Sequence, residues 1–287
     1  METIQTLLQK STSFFAEKGI GEPKLSAEHL MAHALGVKRL QMFLRFDQPL
    51  REDELERFRA MVRRRLQHEP VQYIVGTTEF YGLEFRVSPS VLIPRPETEH
   101  LIDTFLDLRK SELLRPDLRL LDIGTGSGAI AVTLAVHMPE LRVTATDLSD
   151  DILEIARGNA ARHGVEDRIQ FLRHDILKES PAATDAPFDI VVSNPPYIPA
   201  AEVAELQPEI REHEPLEATT DGTDGLRYYR RIAEIVPDLI KNGGLLAVEI
   251  GHGQSAEVTG LFSNAGLRDL SVRQDYAGID RVVTAWR

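Results

Sequence analysis

The sequence predicts an α/β protein: a doubly wound parallel sheet closed by an antiparallel strand, preceded by a small helical bundle and a β-hairpin connector. Three observations predict it. From residue 97 onward, short apolar runs alternate with helical segments. A glycine-rich loop follows the first of those runs, where such sheets bind ligands. The first 70 residues show only helical periodicity. At 287 residues the chain exceeds the usual domain size of about 100–200, so one large domain and one smaller one are expected. The boundaries fall at 1–70 for the bundle, 71–96 for the connector and 97–287 for the sheet domain.

In the bundle, Ile4, Leu7, Leu8, Phe14 and Phe15 lie close to one helical stripe, which Gly19 and Gly21 stop. Ser26 is placed to cap a second helix carrying Leu30, Met31, Ala34 and Leu35, and Gly36 to end it in a left-handed conformation. Leu55, Phe58, Val62 and Leu66 mark a third helix, closed by Pro70. Around it stand Arg57, Arg59, Arg63, Arg64 and Arg65, which read as a solvated face, with a contact surface for a partner as the alternative.

In the connector, Phe80, Tyr81, Leu83, Phe85 and Val87 alternate around Gly82 as a short hairpin does, and Pro94 and Pro96 punctuate the exit. Strands are then expected near 119–123, 142–147, 168–172, 188–193 and 244–250, with helices between them. Residues 181–187 read as a polar loop. Near the end the alternation breaks: Leu267 to Val272 and Arg281 to Trp286 are two strands with only a turn between them, which implies the antiparallel closing strand.

Composition excludes several classes. With 42% hydrophobic and 27% charged residues the chain is globular rather than disordered. It has no cysteine, so disulfides, Cys-zinc sites and thiol catalysis are out. The nine His lack metal-binding spacing, and no metal is expected. Glu2, Thr3, Ile4 and Gln5 are too polar for a secretory segment, and no apolar stretch approaches the ~18–20 residues of a membrane span, so a soluble cytoplasmic protein without membrane partners is expected. Formal net charge is −12; residues 1–70 hold 12 Lys and Arg against 10 Asp and Glu, leaving 21 against 35 for the remainder. So acidic a chain lacks the phosphate-neutralising charge that stable nucleic-acid binding requires.

The glycine loop runs Gly124, Thr125, Gly126, Ser127, Gly128 between the strand Leu120–Ile123 and a helix of Ile130, Ala131 and Leu134. Its glycines let backbone approach a ligand at the sheet edge. Asp147 ends the next strand, 19 residues beyond Gly128, where a carboxylate can accept hydrogen bonds from both ribose hydroxyls. Taken alone the loop also satisfies the dinucleotide pattern through Gly124, Gly126 and Ala129. With Asp122 two residues before its first glycine, and a third glycine, it resembles the cofactor loop of class I methyltransferases, which implies S-adenosylmethionine. A carboxylate there faces the cationic methionine end of that cofactor and would repel a pyrophosphate. Asp175 and Ile176 follow the third strand where such enzymes often contact adenine; a helix cap is the other reading of Asp175.

The fourth strand delivers Asn194, Pro195, Pro196 and Tyr197 to the sheet edge beside that loop. The chemistry such a group suits is methylation of a planar NH₂, whose delocalised lone pair makes it a poor nucleophile. If the Asn194 side-chain oxygen and the Pro195 carbonyl each accept one N–H, they fix the nitrogen and favour the geometry in which its lone pair can attack. The prolines stiffen the acceptors, and Tyr197 offers a flat face for stacking.

From about residue 25 onward the chain resembles the release-factor glutamine methyltransferases, the PrmC/HemK family. The likeness runs through Pro70, Gln72, Tyr73, Ile74, Gly76, Phe80 and Gly82, then Leu92 to Glu99, the glycine loop, and Asn194 to Tyr197. It continues through Pro208, Glu209, Glu214, Pro215, Asp224, Gly225, Leu226, Tyr229, the Glu249 to Gln254 segment, Asp275 and Arg281. The resemblance implies a five-helix N-terminal domain and a Rossmann-like catalytic domain. It implies that Gly124, Gly126, Gly128, Asp147, Ile176 and Asn194 line the S-adenosylmethionine pocket. It also implies that Asn194 to Tyr197 hold a substrate glutamine, the one in the Gly-Gly-Gln loop of class I peptide chain release factors. The sequence departs from the family at Ala218, Thr219, Thr220, where Ala-Leu is expected, so the loop after Tyr197 is left open, as is the choice between site-forming and structural roles for Arg95 and Glu97. Three rivals stand beside this reading. An adenine-N6 DNA or RNA methyltransferase shares the planar NH₂ problem, but the acidic catalytic half opposes it. A ribosomal-protein glutamine methyltransferase would differ only in substrate. A pyridine-nucleotide oxidoreductase or non-catalytic nucleotide-binding module would leave Asn194 to Tyr197 unexplained. The charge asymmetry further suggests that residues 1–70 dock on the release factor.

Overall fold

The computed structural model describes residues 2–180 and 187–287, so the polar loop expected at 181–187 lies, apart from Pro187, outside the described residues. The chain forms two compact units, Met1–Thr77 with Gln207–His213, and Thr78–Leu206 with Glu214–Arg287.

The first unit contains helices α1 (Ile4–Glu17), α2 (Pro23–Leu35), α3 (Arg39–Phe43), α4 (Glu52–Arg65) and α5 (Val71–Val75). Their apolar stripes meet in a core of Ile4, Phe15, Leu30, Met31, Met42 and Phe58, each at most 2% exposed. Ser26 does not cap α2 as the sequence suggested. The helix opens one turn earlier, at Pro23, whose fixed φ suits a first helical position, behind Glu22 in a left-handed conformation. Ser26 is buried instead: its hydroxyl donates to the Gly21 carbonyl and accepts from Arg65 Nε, both at 3.3 Å. Gly36 ends α2 with φ +64°, as expected. The arginines of α4 divide: Arg57, Arg59, Arg63 and Arg64 are exposed, whereas Arg65 is buried and donates to Glu209 at 2.8 Å. Glu209 belongs to a short helix, Pro208–His213, lent to this unit by the far end of the sequence.

Strands β1 (Thr77–Phe80) and β2 (Leu83–Arg86) form the hairpin. Its two-residue turn has positive φ at both Tyr81 (51°) and Gly82 (72°), the backbone twist that matches a tight hairpin. Phe80 and Phe85 sink into the core of the second unit, and Asn159 clamps the Arg86 backbone, accepting from its N–H at 2.7 Å and donating to its carbonyl at 3.0 Å.

That second unit is built on strands β3 (Arg119–Ile123), β4 (Arg142–Asp147), β5 (Ile169–Arg173), β6 (Phe188–Ser193), β7 (Ile240–Glu249), β8 (Arg268–Gln274) and β9 (Asp280–Trp286), in the spatial order β5-β4-β3-β6-β7-β9-β8. β9 runs antiparallel to both its neighbours, the closing strand the sequence implied. On one face lie α6 (Glu99–Lys110), α7 (Ala129–His137) and α8 (Asp150–Arg162); on the other α10 (Arg227–Leu239) and α11 (Ser255–Asn264), with the helix Pro208–His213 counted as α9. The chain moves outward from β3 through β4 to β5, then returns to β6 on the opposite side of β3, so the strand order reverses between β3 and β6. Such a reversal opens a crevice at the carboxyl ends of the strands.

Phe105 is fully buried where α6 meets the sheet. Phe105→Ala is expected to cost about 3–5 kcal/mol of stability, read as a lowered denaturation midpoint of the full chain.

Candidate active site

Strand register aligns the predicted site. Ile123 sits opposite Thr146 on β4 and Ser193 on β6, and Ser193 opposite Val248 on β7. The next residue on each strand is therefore Asp147, Gly124, Asn194 and Glu249, one row across the carboxyl edge of four adjacent strands.

In the glycine loop, Gly124, Gly126 and Gly128 all have positive φ, and the N–H groups of Gly124 and Thr125 both donate to the Thr146 carbonyl at 2.9 Å. A Cβ at Gly128 would press on Ala156 and Val132 at 3.2 and 3.3 Å. Asp122 is fully buried; its Oδ2 accepts from the Thr125 hydroxyl at 2.7 Å, while its Oδ1 has no hydrogen-bond partner among the described residues. Burial pushes its pKa up to about 7, the Thr125 hydrogen bond opposes that, and the neighbouring Asp147 charge adds to it. Asp147 closes the loop, accepting from the Gly126 and Leu148 N–H groups at 2.7 Å each. Burial raises its pKa too, against those two hydrogen bonds. Ser127 is buried, and its carbonyl accepts from Asn159 at 2.8 Å.

Beyond β5, Ile176 is buried and Asp175 is committed locally: its Oδ1 accepts from the Leu177 N–H at 3.0 Å and its Oδ2 pairs with Lys178 at 2.8 Å. The Lys178 hydrogen bond holds its pKa below the usual carboxylate range.

At the end of β6, Asn194 Nδ2 donates to the Thr98 hydroxyl at 3.0 Å, which leaves Oδ1 as the face available to a ligand. Pro195 is buried and Pro196 and Tyr197 are half-buried. The Tyr197 hydroxyl donates to Glu249 Oε1 at 3.2 Å, and burial raises its pKa with help from that carboxylate. Gln254 Nε2 donates to the Tyr197 carbonyl at 3.0 Å, and its Oε1 accepts from the Gly251 N–H at 2.9 Å. Two glycines make room for this arrangement. A Cβ at Gly225 (φ +82°) would overlap the Tyr197 carbonyl, and one at Gly251 would stand 3.0 Å from the Tyr197 ring.

The loop that the sequence left open is also fixed: the Ile198 N–H donates to the Thr219 carbonyl at 3.1 Å, and Thr219 donates to Leu216 at 3.0 Å. Arg95 donates to Glu214 at 2.6 Å, a carboxylate whose pKa burial raises and Arg95 pulls down. Arg95 is thus engaged in holding the Glu214 end of that loop. Sequence reasoning drew no chemistry from Thr98, Glu249 or Gln254. Each stands in a segment that carried the resemblance, but their roles depend on pairings across 52–96 positions of sequence.

Because Asp122 binds its proton more tightly folded than unfolded, folding favours the protonated form. Its contribution is fully present below the ordinary pKa of 3.8 and is lost as pH rises through about 7. Asp122→Asn should flatten the decline in melting temperature between about pH 4 and 7 relative to the native chain, measured without added ligand.

Comparison with known proteins agrees with this geometry. The PrmC N-terminal domain family model matches residues 6–76, and the methyltransferase small domain model residues 100–210. The release factor glutamine methyltransferase of Chlorobaculum tepidum is 49% identical over 282 residues, 97% of this chain and 95% of that protein. The Bacillus subtilis enzyme of that name is 40% identical over 287 residues, 99% of this chain and 98% of that protein. Among solved structures, a methyltransferase from Pyrococcus furiosus superposes with a TM-score of 0.52 at 18% identity, over 72% of this chain and 90% of that one. The N-terminal domain of human METTL16 in complex with SAH also gives 0.52 at 18% identity, over 72% and 76%. At those identities the two structures speak to the methyltransferase fold alone. Near full-length identity to proteins of one activity, on a sheet that carries the glycine loop and the Asn194 to Tyr197 turn in one row, makes this chain a member of the release factor glutamine methyltransferase family.

Proposed function

We propose that this enzyme transfers a methyl group from S-adenosylmethionine to the side-chain amide nitrogen of the glutamine in the Gly-Gly-Gln loop of class I peptide chain release factors. The observation that carries the reading is the pose of Asn194, whose Nδ2 is spent on Thr98 so that Oδ1 is left to accept beside the glycine loop.

The residues of that loop fit the cofactor. Gly124, Thr125, Gly126, Ser127 and Gly128 form a turn without side-chain bulk at its three glycines, Asp122 keeps one buried oxygen without a hydrogen-bond partner among the described residues, and Asp147 closes the loop. In this reading Asp122, once ionised, offsets the positive methionine end, Asp147 takes the ribose hydroxyls, and Asp175 and Ile176 border the adenine. When bound, S-adenosylmethionine supplies a methyl group activated by its sulfonium.

The chain's own contribution is to hold the nucleophile. The substrate amide N–H groups donate to Asn194 Oδ1 and to the Pro195 carbonyl, which fixes the nitrogen and favours exposure of its lone pair. Pro195 and Pro196 keep those acceptors from rotating away. The Tyr197 ring, its hydroxyl tied to Glu249, presents a flat surface against the planar amide.

The proposal also assigns recognition of the release factor to the helical segment 1–70, with 71–96 as connector and 97–287 as the catalytic domain. The less acidic charge balance of the helical segment supports that division. A cytoplasmic setting follows from the substrate, and no helix among the described residues is long and apolar enough to cross a membrane.

Incubation with a class I release factor and S-adenosylmethionine should add one methyl to the Gly-Gly-Gln glutamine, seen by peptide mass spectrometry. Asn194→Ala should slow that addition about 100-fold or more without changing the fold by circular dichroism. Methylation of a ribosomal protein or of DNA in place of the release factor would overturn the substrate assignment.

A further inference from the structure

Gln254 stands at the start of α11, a position where the short side chains of Ser, Thr, Asp and Asn best close a helix. Its longer side chain makes no hydrogen bond to that helix and reaches away from it. Oε1 accepts from the Gly251 N–H at 2.9 Å. Nε2 donates to the Tyr197 carbonyl at 3.0 Å and, at a longer 3.4 Å, to the Gly225 carbonyl. Three segments thus meet on one amide. The polarity of that amide is fixed by its partners, since a backbone N–H can only donate and a carbonyl can only accept. Both glycines leave room for it: a Cβ at Gly251 would stand 2.8 Å from Oε1, and one at Gly225 2.8 Å from Nε2.

We propose that Gln254 is a positioning residue that locks the peptide unit after Tyr197 and thereby holds the Pro195 carbonyl where the substrate amide meets it. The inference rests on the reading of Asn194 Oδ1 and the Pro195 carbonyl as the acceptors for that amide. Pro195 and Pro196 carry no N–H, so neither can fasten the turn through a backbone donor of its own. Their rings fix φ but leave ψ soft, and rotation of ψ at Pro195 swings the carbonyl that the substrate needs. The turn must therefore be held from its ends. At the upstream end, β6 pairs with β3 and β7 as far as Ser193, whose hydroxyl donates to the Ile123 carbonyl at 2.8 Å. At the downstream end, the peptide unit joining Tyr197 to Ile198 is gripped on both sides. Its carbonyl accepts from Gln254 Nε2, and its N–H donates to the Thr219 carbonyl at 3.1 Å. Released from Gln254, that unit keeps only its N–H bond and can pivot about it, which lets ψ of Pro195 and Pro196 drift. Gly251, which holds the other end of the Gln254 amide, is also the residue against which the Tyr197 ring lies, a Cβ there standing 3.0 Å from Cδ2. One side chain therefore ties the backbone of the turn to the segment on which its ring rests.

The test compares native full-length enzyme with Gln254→Met, Gln254→Glu and Gly251→Ala, using a class I release factor and S-adenosylmethionine. Gln254→Met keeps the length of the side chain and loses its hydrogen bonds. It should lower kcat about tenfold or more, with the KM for release factor and for S-adenosylmethionine each changed less than about threefold. Gln254→Glu keeps the acceptor for Gly251 but, ionised, sets an oxygen against the Tyr197 carbonyl, so it should be slower than Gln254→Met; it carries the same comparison should Gln254→Met not fold. Gly251→Ala, which crowds Oε1, should lower kcat in the same direction. A second readout needs no substrate. With carbon-13 in the tyrosine carbonyls the chain gives six labelled sites, and the Tyr197 signal is assigned by its loss in Tyr197→Phe. That signal should move in Gln254→Met, as a carbonyl that has lost a donor does. Native kcat in Gln254→Met, or a Tyr197 signal that stays in place, would overturn the proposal. A moved signal with no methylation of the release factor by native enzyme would instead leave the lock standing and reject the substrate reading.

Discussion

The constraint on which the rest of this structure depends is the register of the parallel strands at their carboxyl ends. Pairing of Ile123 with Thr146 and Ser193, and of Ser193 with Val248, leaves Asp147, Gly124, Asn194 and Glu249 as the first residues past the last row paired among β4, β3, β6 and β7. A slip of one residue would turn the following side chain to the opposite face of the sheet. It would carry Asn194 away from Thr98 and Glu249 away from Tyr197. That register is enforced from the other end of β6, where Asp189 accepts from the Arg119 N–H at 2.9 Å, Arg115 at 2.5 Å and Lys241 at 2.9 Å. One carboxylate at the amino end of the strand thus bonds to groups beside both of its neighbours, and the geometry of the site at the far end inherits that alignment.

Two fully buried carboxyls, Asp122 and Glu249, mark this edge, and burial drives both toward a pKa of about 7. Among the described residues neither has the arginine that a structural ion pair would provide at hydrogen-bonding distance, in contrast to Glu214 with Arg95 or Glu209 with Arg65. Perturbed carboxyls with incomplete partners tend to gather where function repays their cost. Here Asp122 lies beside the glycine loop and Glu249 beside the Asn194 to Tyr197 turn. Their partners differ, the hydroxyl of Thr125 for Asp122 and that of Tyr197 for Glu249.

Much of this was legible in the sequence because it is local. The alternation of apolar runs with helical periods gives the strands within a few residues, and the loop of glycines and the Asn-Pro-Pro-Tyr turn announce themselves by composition. What escaped was set by contacts distant in sequence. Ser26 looks like a cap until Arg65, 39 positions away, is seen to claim its hydroxyl. Arg65 itself reads as one more charge on a solvated helix until Glu209 arrives from residue 144 positions on. Glu249 reads as the polar end of an apolar strand, and nothing nearby in sequence says that its side-chain partner is Tyr197. The hairpin shows the same limit: its turn is plain from Tyr81-Gly82, but its anchoring by Asn159 is not.

The path of the chain after Tyr197 ties these observations together. Residues 198–206 belong to the catalytic unit, 207–213 to the helical unit, and from Glu214 the chain is back in the catalytic unit. Both stems of this excursion are fastened at the site: Ile198 donates to Thr219, and Glu214 accepts from Arg95, three residues before Thr98. Its tip is fastened in the helical unit by Arg65, a buried cation whose removal would leave Glu209 without its buried partner. A chain anchored at both stems and at its tip has little conformational freedom left to lose, so ordering it when substrate binds costs less than ordering a free loop of that length.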